Sequence, residues 1–218
     1  MRFTLHSRLT HRDLHEILVV PRRHGHWLLV LLHGKGAGPS QFLGQPLFDT
    51  LAALGPRAPD VLLLDGGDHS YWHDRADGRW GSMILQEGIR AGVERTLPLY
   101  VALGGISMGG YGALLLGSRQ RGFCAVGVQS PALWLSAGQA APGAFDDAAD
   151  FERNDVFELP APHPLWIDLG ASDPFRGATL AYARRAGLRA HVWPGGHDSG
   201  FWDAHTPQFL RFFARACS

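Results

Sequence analysis

Residues Trp27 to Gly34 read WLLVLLHG, an apolar run that does not alternate with polar residues and stops at a glycine. A strand covered on one face alternates; a continuous run belongs to a strand covered on both, as in a mostly parallel sheet with helices on either side. The pattern returns in VLLL (Val61 to Leu64), in the stretch from Leu99 to Ile106, in CAVGVQS (Cys124 to Ser130) and in LWIDLG from Leu165. A shorter strand is expected around His191 to Trp193.

Helical patterns fill the gaps. Ser40 can cap a helix running to about Leu54, where Gly55 and two prolines stop it. Leu85, Ile89 and Val93 recur at steps of four. Further helices are expected from about Met108 and from Phe175 to Ala186. Near the end, Phe209, Phe212, Phe213 and Ala216 form one apolar stripe. Strands alternating with helices imply right-handed crossovers and an α/β architecture, with the segment containing LHEILVV as an antiparallel edge. At 218 residues, one domain spanning 1–218 is expected. Residues 131–164, rich in Ala, Pro and Asp, read as an excursion or minimal lid.

Twenty acidic residues balance twenty basic ones, so no net field draws in nucleic acid or an anionic membrane. Lys35 is the only lysine. Two cysteines, Cys124 and Cys217, make no disulfide framework; Cys124 reads as a small core residue. The opening residues lack the apolar stretch of a signal peptide, and no run reaches the roughly 18 apolar residues that cross a bilayer. A soluble cytoplasmic protein is the expectation. The histidines show no metal-binding spacing and no phosphate loop appears, so neither metal nor cofactor is expected.

In such sheets function gathers at the carboxyl ends of the strands. Gly105-Ile106-Ser107-Met108-Gly109 matches G-x-S-x-G there. With 28 glycines and 11 serines, roughly 0.2 chance matches are expected, so the match alone proves little. Its context carries more weight: the motif follows a buried strand and opens a helix, as a nucleophile elbow must.

A serine hydroxyl attacks only when a histidine takes its proton. His163, His191, His197 and His205 follow Ser107. His191 falls in a strand, His205 in or near the last helix, and His163 between prolines. His197, in WPGGHDSGFW, lies on a loop that two glycines allow to turn inward. The orienting acid is expected after the penultimate strand. Asp173, in GASDPF, fits, and it can also cap the helix beginning near Pro174. Asp168 lies inside its strand, and Asp198 is too close to His197 to reach round the ring. The oxyanion needs two N–H donors: Met108 supplies one, and Lys35 in HGKG (His33 to Gly36) supplies the other. Gly34 belongs to the same loop, and the Lys35 side chain is either a cation at the pocket rim or simply solvated.

GISMGGYGAL around Ser107, GASDPF around Asp173 and PGGHDSGFW around His197 together resemble the α/β-hydrolase esterases that include esterase D (S-formylglutathione hydrolase) and the antigen 85-type mycolyltransferases. The resemblance covers most of the chain from LLVLLHG onward and implies an α/β-hydrolase fold. It also implies that Ser70, Tyr71 and Asp74, in DGGDHSYWHDRADGRW, line or brace the pocket. Trp134 and Trp202 are further candidates to meet substrate. The chain is shorter than the larger members at its N-terminus and between Ser130 and Leu165, which implies little lid. The expected activity is cleavage of a small-molecule carboxylic ester or thioester through an acyl-Ser107 intermediate. Acyl transfer to an alcohol or amine uses the same groups, while an intact Ser, His and Asp set argues against a binding protein without catalysis. A homodimer is allowed by all of this.

Overall fold

The computed structural model describes all 218 residues. Strands β1 (Arg2–Ser7), β2 (Arg12–Val19), β3 (Trp27–Leu32), β4 (Asp60–Leu64), β7 (Tyr100–Ile106), β8 (Phe123–Gln129), β9 (Leu165–Gly170) and β10 (His191–Trp193) form one sheet. Their order is β1-β2-β4-β3-β7-β8-β9-β10. From β4 to β10 every pairing is parallel, and the β1-β2 hairpin adds the antiparallel edge. The two-residue strands β5 (Asp74–Arg75) and β6 (Gly78–Arg79) pair separately.

The unbroken apolar runs are explained by what covers each face. Leu28, Val30, Leu32, Leu62 and Leu64 pack against α4 (Met108–Arg119) and against Met83 and Ile84. Their neighbours Trp27, Leu29, Leu31, Val61 and Leu63 pack on the opposite side against α1 (Gln45–Leu54) and α7 (Ser199–Ala216). Glycines in the sheet make room for this second layer. A methyl group on Gly127 would lie 2.6 Å from the Phe213 ring, and one on Gly104 would lie 3.1 Å from both Phe209 and Phe213. Helix α7 therefore crosses directly over β7 and β8.

Several local expectations are corrected. Ser40 caps nothing: it lies in a short 3-10 turn, Pro39–Phe42, and α1 begins only at Gln45, with Gly44 as its cap and a proline in its first turn. The buried stripe of α7 is Phe209, Leu210, Phe213, Ala214 and Cys217, while Ala216 is exposed and Phe212 half-buried. The helix is rotated so that the Phe209 and Phe213 rings lie over Gly104 and Gly127, with Leu210 and Ala214 buried beside them. Leu85, Ile89 and Val93 are half-buried and pack, like Phe3 and Leu5 of the hairpin, against the edge of the core layer that includes α4. Between α2 (Trp80–Met83) and α3 (Ile89–Thr96) one π-helical turn, Ile84–Gly88, interrupts the α-helical pattern. The Glu87 carboxylate within it accepts hydrogen bonds from the Ser7 hydroxyl (2.6 Å) and the Arg8 N–H (3.1 Å), tying the turn to the hairpin.

Cys124 and Cys217, far apart in sequence, are joined by a disulfide that fastens the end of α7 to the start of β8. Because α7 runs over β8, the topology brings together two cysteines separated by 93 positions. No helix is long and apolar enough to cross a membrane.

Residues 131–164 are packed rather than loose. Trp134, Phe151 and Val156 join the core, and α5 (Ala148–Arg153) is capped by the Asp147 carboxylate, which accepts from the Asp150 N–H. Arg75, its side chain only 7% exposed, donates to the carbonyls of His69 and Gly143 and to the Asp146 carboxylate. His73 and Asp150 form a second, fully buried pair at 3.0 Å. The segment is thus clamped onto the loop that follows β4.

One buried acid sets a pH dependence on stability. Glu16, 1% exposed on β2, accepts the Asp65 N–H at 2.7 Å, and its other oxygen has no partner. Burial pushes its pKa up from 4.5 to about 8. The folded protein therefore holds a proton that the unfolded chain releases near pH 4.5, and stability falls as pH rises from about 4.5 to 8. Thermal melts are expected to show Tm dropping between pH 6 and 9 in the wild type. In Glu16→Gln, which keeps the acceptor and cannot ionise, that drop should be smaller. A parallel loss in both proteins would show that the proton sits elsewhere, Asp168 (raised to about 7 by its own burial) being the alternative holder.

Candidate active site

Because β3, β4, β7, β8, β9 and β10 run parallel, the loops that follow them emerge at one end of the sheet. Ser107 follows β7, Asp173 follows β9 and His197 follows β10.

Ser107 has φ 56° and ψ −114°, a conformation that side chains rarely adopt. Backbone bonds hold it there: its N–H donates to the Gln129 carbonyl, and its own carbonyl accepts from the N–H groups of Tyr111 and Ala132, each at 3.0 Å. Such a turn brings the start of α4 against β3. A methyl group on Gly109 would lie 1.8 Å from the Leu32 carbonyl oxygen, and one on Gly105 would lie 2.2 Å from that of Gly109. Those two contacts explain glycine on either side of the serine.

The His197 ring joins the other two groups. Nε2 lies 2.9 Å from Ser107 Oγ, and Nδ1 lies 2.9 Å from Asp173 Oδ2. With Asp173 as acceptor, Nδ1 carries the proton and Nε2 is free to accept one. The Asp173 side chain is inaccessible, and that of His197 is 20% exposed. The second Asp173 oxygen accepts the Phe175 N–H at 2.8 Å, so the carboxylate both orients the histidine and ties down the turn before α6 (Arg176–Arg185). The loop carrying His197 passes close to the end of β9, where a methyl group on Gly170 would lie 2.4 Å from the Gly195 oxygen. Asp198 is occupied elsewhere: it caps α7, accepting the Phe201 N–H at 3.0 Å. Asp168 is fully buried, bonded to the Trp166 indole N–H (2.7 Å), as its place inside β9 demands.

Gly34 lies beside the nucleophile; a methyl group on it would sit 3.5 Å from Ser107 Cβ. Its N–H is spent on the Gln41 side chain, at 2.7 Å. The Lys35 N–H has no partner within the protein, and the Met108 N–H opens α4, where helical donors are unspent. The backbone donors expected of Lys35 and Met108 are therefore free for a ligand. The Lys35 side chain, in an exposed residue, forms no ion pair.

The remaining candidates separate into two groups. Trp202 stands edge-on to the His197 ring, centroids 5.2 Å apart. Trp134 reaches the site through Phe175, which packs on His197 at 5.1 Å and on Trp134 at 5.6 Å. The other three brace the surroundings. The Ser70 hydroxyl accepts the Trp72 N–H at 3.0 Å, the Asp74 carboxylate holds Ser82 through its N–H and hydroxyl, and Tyr71 is buried among Tyr111, Trp134 and Phe145.

Sequence reasoning missed Gln41 and Phe175, and gave no bracing role to His33 or Trp72. His33 is wholly buried; its Nδ1 meets the Gly34 carbonyl at 2.9 Å and its Nε2 accepts the Gly66 N–H at 3.1 Å. Burial lowers its pKa, consistent with a neutral ring bridging two loops. Trp72, also fully buried, donates from its indole to the His33 carbonyl at 3.1 Å. His33 was visible inside HGKG, but nothing in that motif marked it as a brace.

No family model matches the sequence, and no curated protein matches it. Solved structures do. A ferulic acid esterase superposes with a TM-score of 0.80 at 20% identity, covering 100% of this chain and 98% of its own. The S-formylglutathione hydrolase of Staphylococcus aureus gives 0.74 at 18% identity, covering 98% of both chains. MPT51 of Mycobacterium tuberculosis gives 0.75 at 16% identity, covering 99% and 98%. Likeness over the full length of such chains shows the fold to be that of the α/β-hydrolases.

Proposed function

We propose that the protein is a serine esterase acting on small carboxylic esters or thioesters. The observation that carries this reading is the unbroken relay from Ser107 Oγ through His197 to Asp173, with both bonds at 2.9 Å. The structural neighbours include proteins described as a ferulic acid esterase and an S-formylglutathione hydrolase, which supports ester and thioester substrates respectively.

In the proposed reaction Ser107 Oγ attacks the substrate carbonyl carbon while its proton passes to His197 Nε2. Asp173 stabilises the imidazolium through Nδ1–H. The negative oxygen of the tetrahedral intermediate is received by the N–H groups of Met108 and Lys35, at the positive end of α4. Collapse breaks the bond to the leaving group, which takes the proton from Nε2 and departs. Water then repeats the cycle on the acyl-Ser107 ester, giving the carboxylic acid and restoring the hydroxyl. The disulfide between Cys124 and Cys217 favours an oxidising compartment over the cytoplasm.

A fluorophosphonate probe tests the nucleophile whatever the natural substrate is. Mass spectrometry after labelling is expected to show one adduct per chain, on the peptide containing Ser107. Absence of label, or label on another serine, would remove the basis for the assignment.

A further inference from the structure

Both backbone polar groups of Gly34 are held by side chains. Its N–H donates to Gln41 Oε1 at 2.7 Å. Its carbonyl faces His33 Nδ1 at 2.9 Å; because His33 Nε2 accepts the Gly66 N–H, Nδ1 carries the proton and donates. The same carbonyl accepts the Ala37 N–H at 3.2 Å, closing a turn with Lys35 and Gly36 at its corners. The Lys35 N–H belongs to the peptide that joins Gly34 to Lys35, so the backbone angles of Gly34 decide where that donor points. A glycine has no side chain to restrict those angles. Here the restriction comes from Gln41 and His33.

The two residues differ in what they rest on. His33 is wholly buried, whereas Gln41 is half-buried and stands on the short turn Pro39–Phe42. The Gln41 N–H closes that turn by donating to the Gly38 carbonyl at 2.9 Å, and Phe42 and Leu43 anchor it against the layer that contains Leu47 and Leu51. The carboxamide also lies on the nucleophile's side of the loop. A methyl group on Gly34 would sit 3.6 Å from both Gln41 Oε1 and Nε2, and 3.5 Å from Ser107 Cβ.

Resting on the reading of Ser107 as nucleophile and of the Lys35 N–H as an oxyanion donor, we propose that Gln41 is a positioning residue for catalysis: by accepting the Gly34 N–H, it aims the Lys35 N–H at the oxyanion. It acts through Gly34 and needs no contact with the reacting atoms. A donor fixed in advance stabilises developing charge without reorganising during the reaction, and a peptide free to turn about Gly34 loses part of that benefit.

Two variants test this on p-nitrophenyl acetate. Gln41→Leu keeps the bulk of the side chain and removes the acceptor, while Gln41→Asn keeps the amide and draws it back by one methylene. Both half-reactions pass through an oxyanion, so kcat is expected to fall by about 10- to 100-fold in each variant, with KM within about twofold. Removing a whole donor costs about 10²–10³ in kcat, and a donor present but misaimed falls below that. A trifluoromethyl ketone reads the oxyanion directly. Ser107 Oγ adds to its carbonyl carbon, the serine proton passes to His197 Nε2, and the ketone oxygen takes the negative charge. Its Ki should rise by the same factor as kcat falls. Melts check folding, with Tm lowered by no more than about 4 °C for the loss of one half-buried hydrogen bond. Unchanged kcat and Ki, with or without a lower Tm, would reduce the bond to a structural tie and overturn the role. A raised KM at unchanged kcat would mean that Gln41 contacts the substrate in its ground state, which overturns it equally. In either case the esterase reading stands, provided wild type hydrolyses the ester and Ser107 takes the fluorophosphonate label. A wild type that does neither would overturn the parent reading itself.

Discussion

Ser107→Ala is expected to lower kcat/KM for p-nitrophenyl acetate by roughly 10⁴-fold or more, and His197→Ala by a similar factor. The double variant should lose little beyond either single one, because a nucleophile without its base and a base without its nucleophile are equally idle. Residual hydrolysis in all three would come from the oxyanion donors and from substrate binding, which neither change removes. The fold should be unaffected: Ser107 Oγ has one hydrogen-bond partner, His197, and the backbone bonds that hold the strained turn belong to main-chain atoms that alanine retains. Unchanged melting with lost turnover would place the defect in chemistry. Near-normal turnover in either single variant would end the assignment.

Gly109→Ala should act through the fold instead. The added carbon would lie 1.8 Å from the Leu32 oxygen, 2.4 Å from the Leu32 carbonyl carbon and 2.8 Å from the His33 oxygen. These atoms are main chain, in β3 and at its end, so no rotamer change relieves them. Either α4 lifts off the sheet or β3 shifts, and both disturb the buried layers. A loss of about 4 kcal/mol or more is expected, the range in which backbone collisions and large cavities fall. For a chain of this size that corresponds to a fall in Tm of about 8–16 °C. Gly138→Ala is the matched control, since nothing lies within 4 Å of its added carbon; its Tm should stay within about 2 °C. Equal melting of the two variants would show that the close approach of α4 to β3 is not what fixes glycine here.

The meeting of Ser107, Asp173 and His197 could be anticipated from sequence because each sits just past a strand of the sheet, and strand order in a parallel sheet converts chain order into spatial proximity. The continuous runs at Trp27, Val61 and Leu165 were legible for the same reason: a strand buried on both faces has little freedom of composition. Contacts made by side chains distant in sequence were less legible. Gln41 is an ordinary polar residue until its amide meets Gly34, and Phe175 looks like any early-helix aromatic until Asp173 accepts its N–H. The bracing roles of Ser70 and Asp74 depend on two successive residues, Tyr71 and Trp72, taking positive φ, which neither residue type favours. The rotation of α7 depended on which rings fit over Gly104 and Gly127, a matter of packing that periodicity leaves open by one position. Ser40 was plausible as a cap on type alone, but the proline after Gln45 gave the helix a later start.

The bond between Cys124 and Cys217 also changes what a cut in the chain would mean. The two residues bracket everything from β8 to the end of α7, so Asp173, His197 and the packed 131–164 segment all lie within one covalent ring, with Ser107 outside it. A protease that nicks the exposed chain around Pro142 and Gly143 opens the ring without releasing a fragment. Both new ends stay tethered at Cys124 and Cys217, and the histidine remains attached to the domain that holds its serine. Survival of the site after such a nick then depends on packing and no longer on an unbroken chain.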